Sequence, residues 1–183
     1  MATAATKFLA SLTPGQRQQA TFPFEGDERT HWNFIPTELF PRKGLTIKEM
    51  SQSQRKLAHD LLKAGLSQRG YMTATQIMDL ENVLAAIETA QRAAASQQPP
   101  PANPPPVFAR DPERYFFSIF GTPSTRNTWG WRVEGHHMSV HFTVVNGKLV
   151  AGAPTFFGTN PAEVRSGPKK GTRVLAVFED EAR

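Results

Sequence analysis

The spacing of apolar residues changes character along the chain. Near the N-terminus, Thr13-Pro14-Gly15-Gln16 reads as a helix start, with Thr13 as cap, Pro14 in the first turn and Gln16 reaching back. Over residues 51–64, Leu57, Ala58, Leu61 and Leu62 fall on one helical face, and Gly65 follows as a stop. From Thr75 to about Ala94, Ile77, Met78, Leu80, Val83, Leu84 and Ile87 recur at helical spacing, with Thr73 or Thr75 as the cap. These two segments predict a helical hairpin turning across Gly65–Thr73. After residue 106 the period becomes two. Tyr115–Phe120 predicts a strand turned by Gly121-Thr122-Pro123, and Thr128–Val145 one long strand. Asn146-Gly147 predicts a tight hairpin, because both positions tolerate positive φ, and Lys148–Ala153 is the return strand.

Between these zones the pattern breaks. Phe22, Phe24, Trp32, Phe34 and Phe40 are interleaved with Pro23, Pro36 and Pro41, which predicts an irregular aromatic segment wrapped on the core. Six prolines between Pro99 and Pro106 forbid a helix and favour polyproline II, as a spacer or a partner-binding loop. Thr155–Pro168 reads as a loop, and Val174–Phe178 leads into a terminal element that looks interrupted. The sum is an α+β fold, with N-terminal helices packed on a C-terminal antiparallel sheet. The expected divisions are 1–95 helical, 96–106 a Pro-rich loop, and 107–183 mainly antiparallel strands with an unfinished terminal helix.

Composition narrows the chemistry. The 183 residues include no cysteine, so disulfides, thiolate zinc sites and cysteine nucleophiles are excluded. The N-terminus lacks a signal-type apolar run and no stretch approaches 18 apolar residues, so neither membrane nor export is expected and the cytoplasm is the expected compartment. The net charge of +5 is scattered, densest at Arg165, Lys169, Lys170 and Arg173, and predicts an ordinary basic surface and no nucleic-acid partner.

Candidate chemistry concentrates at residues 129–143, where three of the five histidines fall within six residues. On one continuous strand, Arg132, Glu134, His136, Met138, Val140 and Phe142 share a face, and His137 and His141 lie on the other. Glu134 and His136 then stand roughly 6.5–7 Å apart, within reach of one ion or of each other as acid and base. His137 and His141 stand roughly 13 Å apart, too far for one metal unless Gly135 makes a bulge. Two readings stay open. In the first, His136, His137 and His141 are metal ligands, Glu134 is a ligand or general base, and Arg132 positions an anionic or carbonyl group of a small-molecule substrate. The metal would be a divalent transition ion, since imidazole and carboxylate suit several alike. In the second, the histidines are hydrogen-bonded interior groups, Arg132 and Glu134 are a same-face ion pair, and the chain is a non-catalytic binding or interaction module.

The stretches Trp129–Ser139, Phe142–Val145 and Pro154–Ala162 resemble the family catalogued as domain of unknown function 3500, as do Ala20–Phe24, Asp27–Arg29, Trp32, Phe34–Pro36, Arg42–Leu45 and Ala64–Tyr71. The resemblance implies no defined reaction. It implies members about twice as long, with a second half carrying a His-x-His run. The Glu134–His137 stretch would then be part of a metal or acid–base site and the chain an incomplete domain with an exposed apolar face near Val174–Phe178. His141 stands where relatives often carry Asn, which ranks it below His136 and His137.

Overall fold

Helix starts in this protein are set by side chains. In the computed structural model, which describes residues 1–97, 103–104 and 106–182, Thr13 accepts from the Gln16 amide and Gln16 caps back, opening α2 (Pro14–Ala20) as the spacing predicts. It follows α1 (Ala2–Ser11). Ser51 and Gln54 form the same reciprocal box at the start of α3 (Gln52–Gly65). Ser67 caps α4 (Gln68–Ala95) by accepting from Gly70. The second long helix therefore begins two turns earlier than Thr75. Only Leu66 and Ser67 separate the two helices, because the Ser67 cap outweighs the modest helix penalty of Gly70. Residues 98–102 and 105, most of the proline run, lie outside the described residues.

Among the described residues, seven strands form one mixed, mostly antiparallel sheet: β1 (Thr21–Phe22), β2 (Leu45–Thr46), β3 (Phe116–Phe120), β4 (Trp129–Gly135), β5 (Met138–Val145), β6 (Lys148–Ala151) and β7 (Thr155–Phe157). The path runs β1-β3-β4-β5-β6, with β1 parallel to β3, β2 added to β3 and β7 added to β5. With the helices mostly N-terminal and the strands mostly C-terminal, the architecture is α+β. A short terminal helix, α5 (Ala176–Glu181), follows. Near it Val174 packs on the core and Phe178 is exposed.

The Asn146-Gly147 hairpin forms as predicted, with φ of 50° and 75° and Val145 opposite Lys148. The single strand expected over 128–145 does not. It folds back at His136-His137, with Gly135 opposite Met138, Glu134 opposite Ser139 and Arg132 opposite His141. Gly135 makes no bulge. It makes a close approach instead, since a Cβ there would stand 2.4 Å from the Tyr115 ring. The segment expected as a loop after residue 155 contributes β7, paired with the start of β5.

The fold-back decides the two faces of the sheet. Phe117, Trp129, Trp131, Val133, Met138, Val140, Phe142 and Val144 face the helices and make one core with Phe8, Leu61, Leu62 and Ile77. Trp131 stacks on Phe142 with ring centroids 4.2 Å apart, and Gly65 lies against that stack. Each fully buried side chain of this size contributes roughly 1.5–3 kcal/mol. Met138, Val140 and Phe142 are thus on the face opposite Arg132 and Glu134, a reversal of the single-strand expectation. The other face carries Ser118, Arg132, Glu134, Ser139 and His141, and the irregular aromatic segment lies across it. Trp32 meets His141 edge-on at 5.2 Å, and Phe34 stacks on Phe156 at 3.9 Å.

Candidate functional site

A strand that alternates Arg132 and Glu134 must bury two charges if its polar face is covered. Both residues are 0% exposed. Arg132 donates from Nη1 to the carbonyls of Glu28 (2.8 Å) and His31 (3.0 Å), and from Nη2 to Glu28 Oε1 (2.9 Å). Its Nη2 also stands 2.7 Å from Glu134 Oε1, an ion contact whose angle falls outside hydrogen-bond geometry. The other oxygen, Oε2, accepts the Asn33 amide at 3.0 Å and lies 3.5 Å from Arg42 Nε. Arg42 in turn donates to the carbonyls of Asn33 (2.9 Å) and Ile35 (2.6 Å) and to Thr37 Oγ1 (3.2 Å). Burial outweighs the two guanidiniums and holds the Glu134 carboxyl above its ordinary pKa, and burial lowers that of Arg42. The cluster therefore ties the backbone of residues 28–37 to the sheet.

His141 joins the same layer. Its Nε2 shares a 2.8 Å hydrogen bond with Ser139 Oγ. Burial, then the charge of Arg132, lowers its pKa to about 3, so the ring is neutral at physiological pH. Among the described residues, Ser118 Oγ, Arg132 Nε and the Trp131 indole nitrogen are buried without a hydrogen-bond partner.

The other two histidines form the turn between β4 and β5. His137 takes the left-handed region at φ 61°, where histidine is uncommon but tolerated. Long-range contacts fix that conformation. The His137 amide donates to Phe34 O, the Gly158 amide donates to His137 O, and Tyr115 donates to His136 O, all at 2.8 Å. His136 Nδ1 lies 2.6 Å from Glu81 Oε1 on α4, and Arg110 stands 3.3 Å from the same nitrogen while pairing with Glu88. The His136 and His137 ring centroids are 4.0 Å apart. Burial, with His136 and Arg110 adding to it, lowers His137 to about 4. The cavity beside His136 measures about 10 Å³, room for about one water molecule.

The predicted site residues thus separate into two groups. Arg132, Glu134 and His141 lie in the layer beneath the aromatic cap, and His136 and His137 lie at the hairpin tip, facing α4 and Gly158. They do not converge on one cavity. No group of three or more His, Asp or Glu side chains is arranged to hold a metal ion among the described residues. The spacing pointed to none of the partners Glu28, Arg42, Glu81 and Arg110. One signal was present: Glu81 sits in the apolar stripe of α4, three residues after Met78 and four after Ile77, and is itself buried. The basic cluster is used internally too, Lys169 pairing with Asp79 and Arg173 with Glu179.

No helix among the described residues is long and apolar enough to cross a membrane. No curated protein and no solved structure matches the chain. The match to a family model runs over residues 1–183. The chain belongs to the family described as Protein of unknown function (DUF3500).

Proposed function

We propose that the protein is a non-catalytic binding module for a small molecule, in which Arg132, Glu134, His136 and His137 are structural. One observation carries the reading. The candidate general base Glu134 and the candidate substrate-positioning residue Arg132 are wholly buried and engaged by each other, by Glu28 and Arg42, and by the backbone of residues 28–33. A general base needs an oxygen within reach of substrate, and this carboxylate is 0% exposed. Binding would use the aromatic cap and the space between it and the sheet.

A second reading is favoured by the hairpin tip. A carboxylate 2.6 Å from His136 Nδ1, with the His137 ring beside it, is the arrangement that orients an imidazole for proton transfer or for holding a divalent transition metal. That would make the protein a hydrolytic or oxidative enzyme. Thermal unfolding with and without Zn²⁺, Mn²⁺ or Fe²⁺ separates the two, together with metal content after purification. The binding-module reading predicts no saturable rise in midpoint. A rise in the wild type that both His136→Ala and His137→Ala abolish would replace it with the metal reading.

A further inference from the structure

The cap does not close on the sheet everywhere. A cleft of about 110 Å³ remains over Gly130, walled by Arg29, Trp32, Phe120, His141, Thr143 and Pro154. Gly130 adds no side chain to its floor, and a Cβ there would stand 2.8 Å from Phe142 O and 3.6 Å from the Phe24 ring. For scale, an apolar cavity of about 150 Å³ takes up benzene. A flat five- or six-membered ring with one face or edge toward solvent is matched to this space. Trp32, half-buried, is the aromatic side chain open to such a body, whereas Phe120 is 1% exposed and closes the base of the cleft.

Arg42, Arg55, Arg110, Arg114, Arg132 and Arg173 are all at least half-buried, and each faces a carboxylate. Arg29 is half-buried as well, yet makes no ion pair among the described residues. Its Nε donates to Phe24 O at 3.0 Å and its guanidinium carbon sits 4.6 Å from the Phe24 ring centroid. This fixes the group and leaves both Nη atoms without a hydrogen-bond partner among the described residues. A guanidinium held in this way is a carboxylate receptor, since its two free N–H edges match two oxygens. His141 adds a second unused group. With Nε2 engaged by Ser139, Nδ1 has no hydrogen-bond partner among the described residues. If the Ser139 hydroxyl donates to Nε2, Nδ1 carries the hydrogen and is a donor.

We infer that this cleft binds a small planar monocarboxylate, its ring against Trp32 and its carboxylate on the Nη atoms of Arg29. Nδ1 of His141 serves a polar substituent on the ring. The inference rests on the binding-module reading and names its ligand class. The neutral His141 beside a fixed cation selects a single negative charge, and the limited volume of the cleft, about 110 Å³, selects a small body.

The test is a titration of the ¹⁵N-labelled full chain with benzoate, with benzamide as the uncharged isostere and acetate as the anion without a ring. Benzoate should shift the amides of residues 29–32, 130 and 141–143 saturably, with half-effect on the order of 1 mM. Benzamide and acetate should each be weaker by about tenfold. Arg29→Gln should weaken benzoate by about fivefold or more and leave benzamide unchanged, whereas Arg29→Lys, which keeps the charge, should lose less. Equal binding of benzoate and benzamide, or no saturable shift of these amides up to about 10 mM benzoate, overturns the proposal in the wild type alone, whatever the variants do. The metal titration is independent of this result. A silent cleft with no metal response removes the ligand and leaves the histidines structural, whereas a metal response that depends on His136 removes the binding-module reading itself.

Discussion

Arg132→Met removes the guanidinium at the centre of the buried layer and keeps much of its aliphatic volume. The wild-type side chain makes three hydrogen bonds to residues 28–31 and the 2.7 Å contact with Glu134. Its loss leaves Glu134 buried with the Asn33 amide and Arg42, 3.5 Å away, as its remaining partners. Breaking one side of a buried pair costs about 3–5 kcal/mol. For a chain of this length each kcal/mol moves the thermal midpoint by about 2–4 °C, so the drop is roughly 6–20 °C. The loss also has a pH signature. Burial already holds the Glu134 carboxyl above its ordinary value, and Arg132 is the larger of the charges that pull it down. Without Arg132 the folded-state value rises further. A carboxyl raised on folding contributes stability that is full below its unfolded pKa and lost as pH rises through the folded value. The deficit of Arg132→Met relative to wild type should therefore be larger at pH 8 than at pH 5. Urea unfolding followed by tryptophan fluorescence at both pH values measures it. A loss under about 1 kcal/mol, or a deficit independent of pH, would refute the clamp. Glu134→Gln should be milder, about 1–2 kcal/mol, because its amide oxygen can still accept from Asn33.

Three other perturbations test separate parts of the fold. Gly65→Ala would place a Cβ 2.5 Å from Trp131 Cζ2 and 2.8 Å from Phe142 Cζ, and should cost about 1–3 kcal/mol in chemical denaturation through overpacking. Asn146→Ala forces a residue without a polar side chain into φ 50° and should cost about 1–2 kcal/mol by the same measurement. His141, lowered to about 3, and His137, lowered to about 4, each contribute stability that is present above the ordinary histidine pKa and is lost as pH falls toward those values. Stability should thus decline on acidification below about pH 6.5, and the slope should be shallower in His141→Asn.

How far the sequence speaks depends on which interactions set each feature. The cap at Thr13 and the Asn146-Gly147 turn are local, so residue type and spacing reveal them. The early start of α4 is local too, but its signal, Ser67, stands before a glycine that reads as a breaker. The turn at His136-His137 is different. Neither residue is a turn former, and Phe34, Tyr115 and Gly158, distant in sequence, supply the contacts that fix it. Missing that turn reverses the faces of Met138, Val140 and Phe142 and places Glu134 and His136 in one site. The charges that meet Glu134 and Arg132 come from Glu28 and Arg42, on an irregular segment with no period to read. The pairing of Arg132 with Glu134 was legible, because residues two apart on a strand share a face.

Hydrogen exchange at the Asn33 amide tests most directly whether this buried cluster is a structural clamp. That amide donates to Glu134, and the neighbouring segment has no regular secondary structure to protect it otherwise. If the cluster is a clamp, Asn33 is protected in the wild type and exchanges faster in Arg132→Met, by about tenfold or more. Central β4 and β5 amides such as Val133 and Val140 should lose protection only as far as global stability falls. An Asn33 amide that is unprotected in the wild type, or that exchanges at the same rate in both proteins, would contradict it.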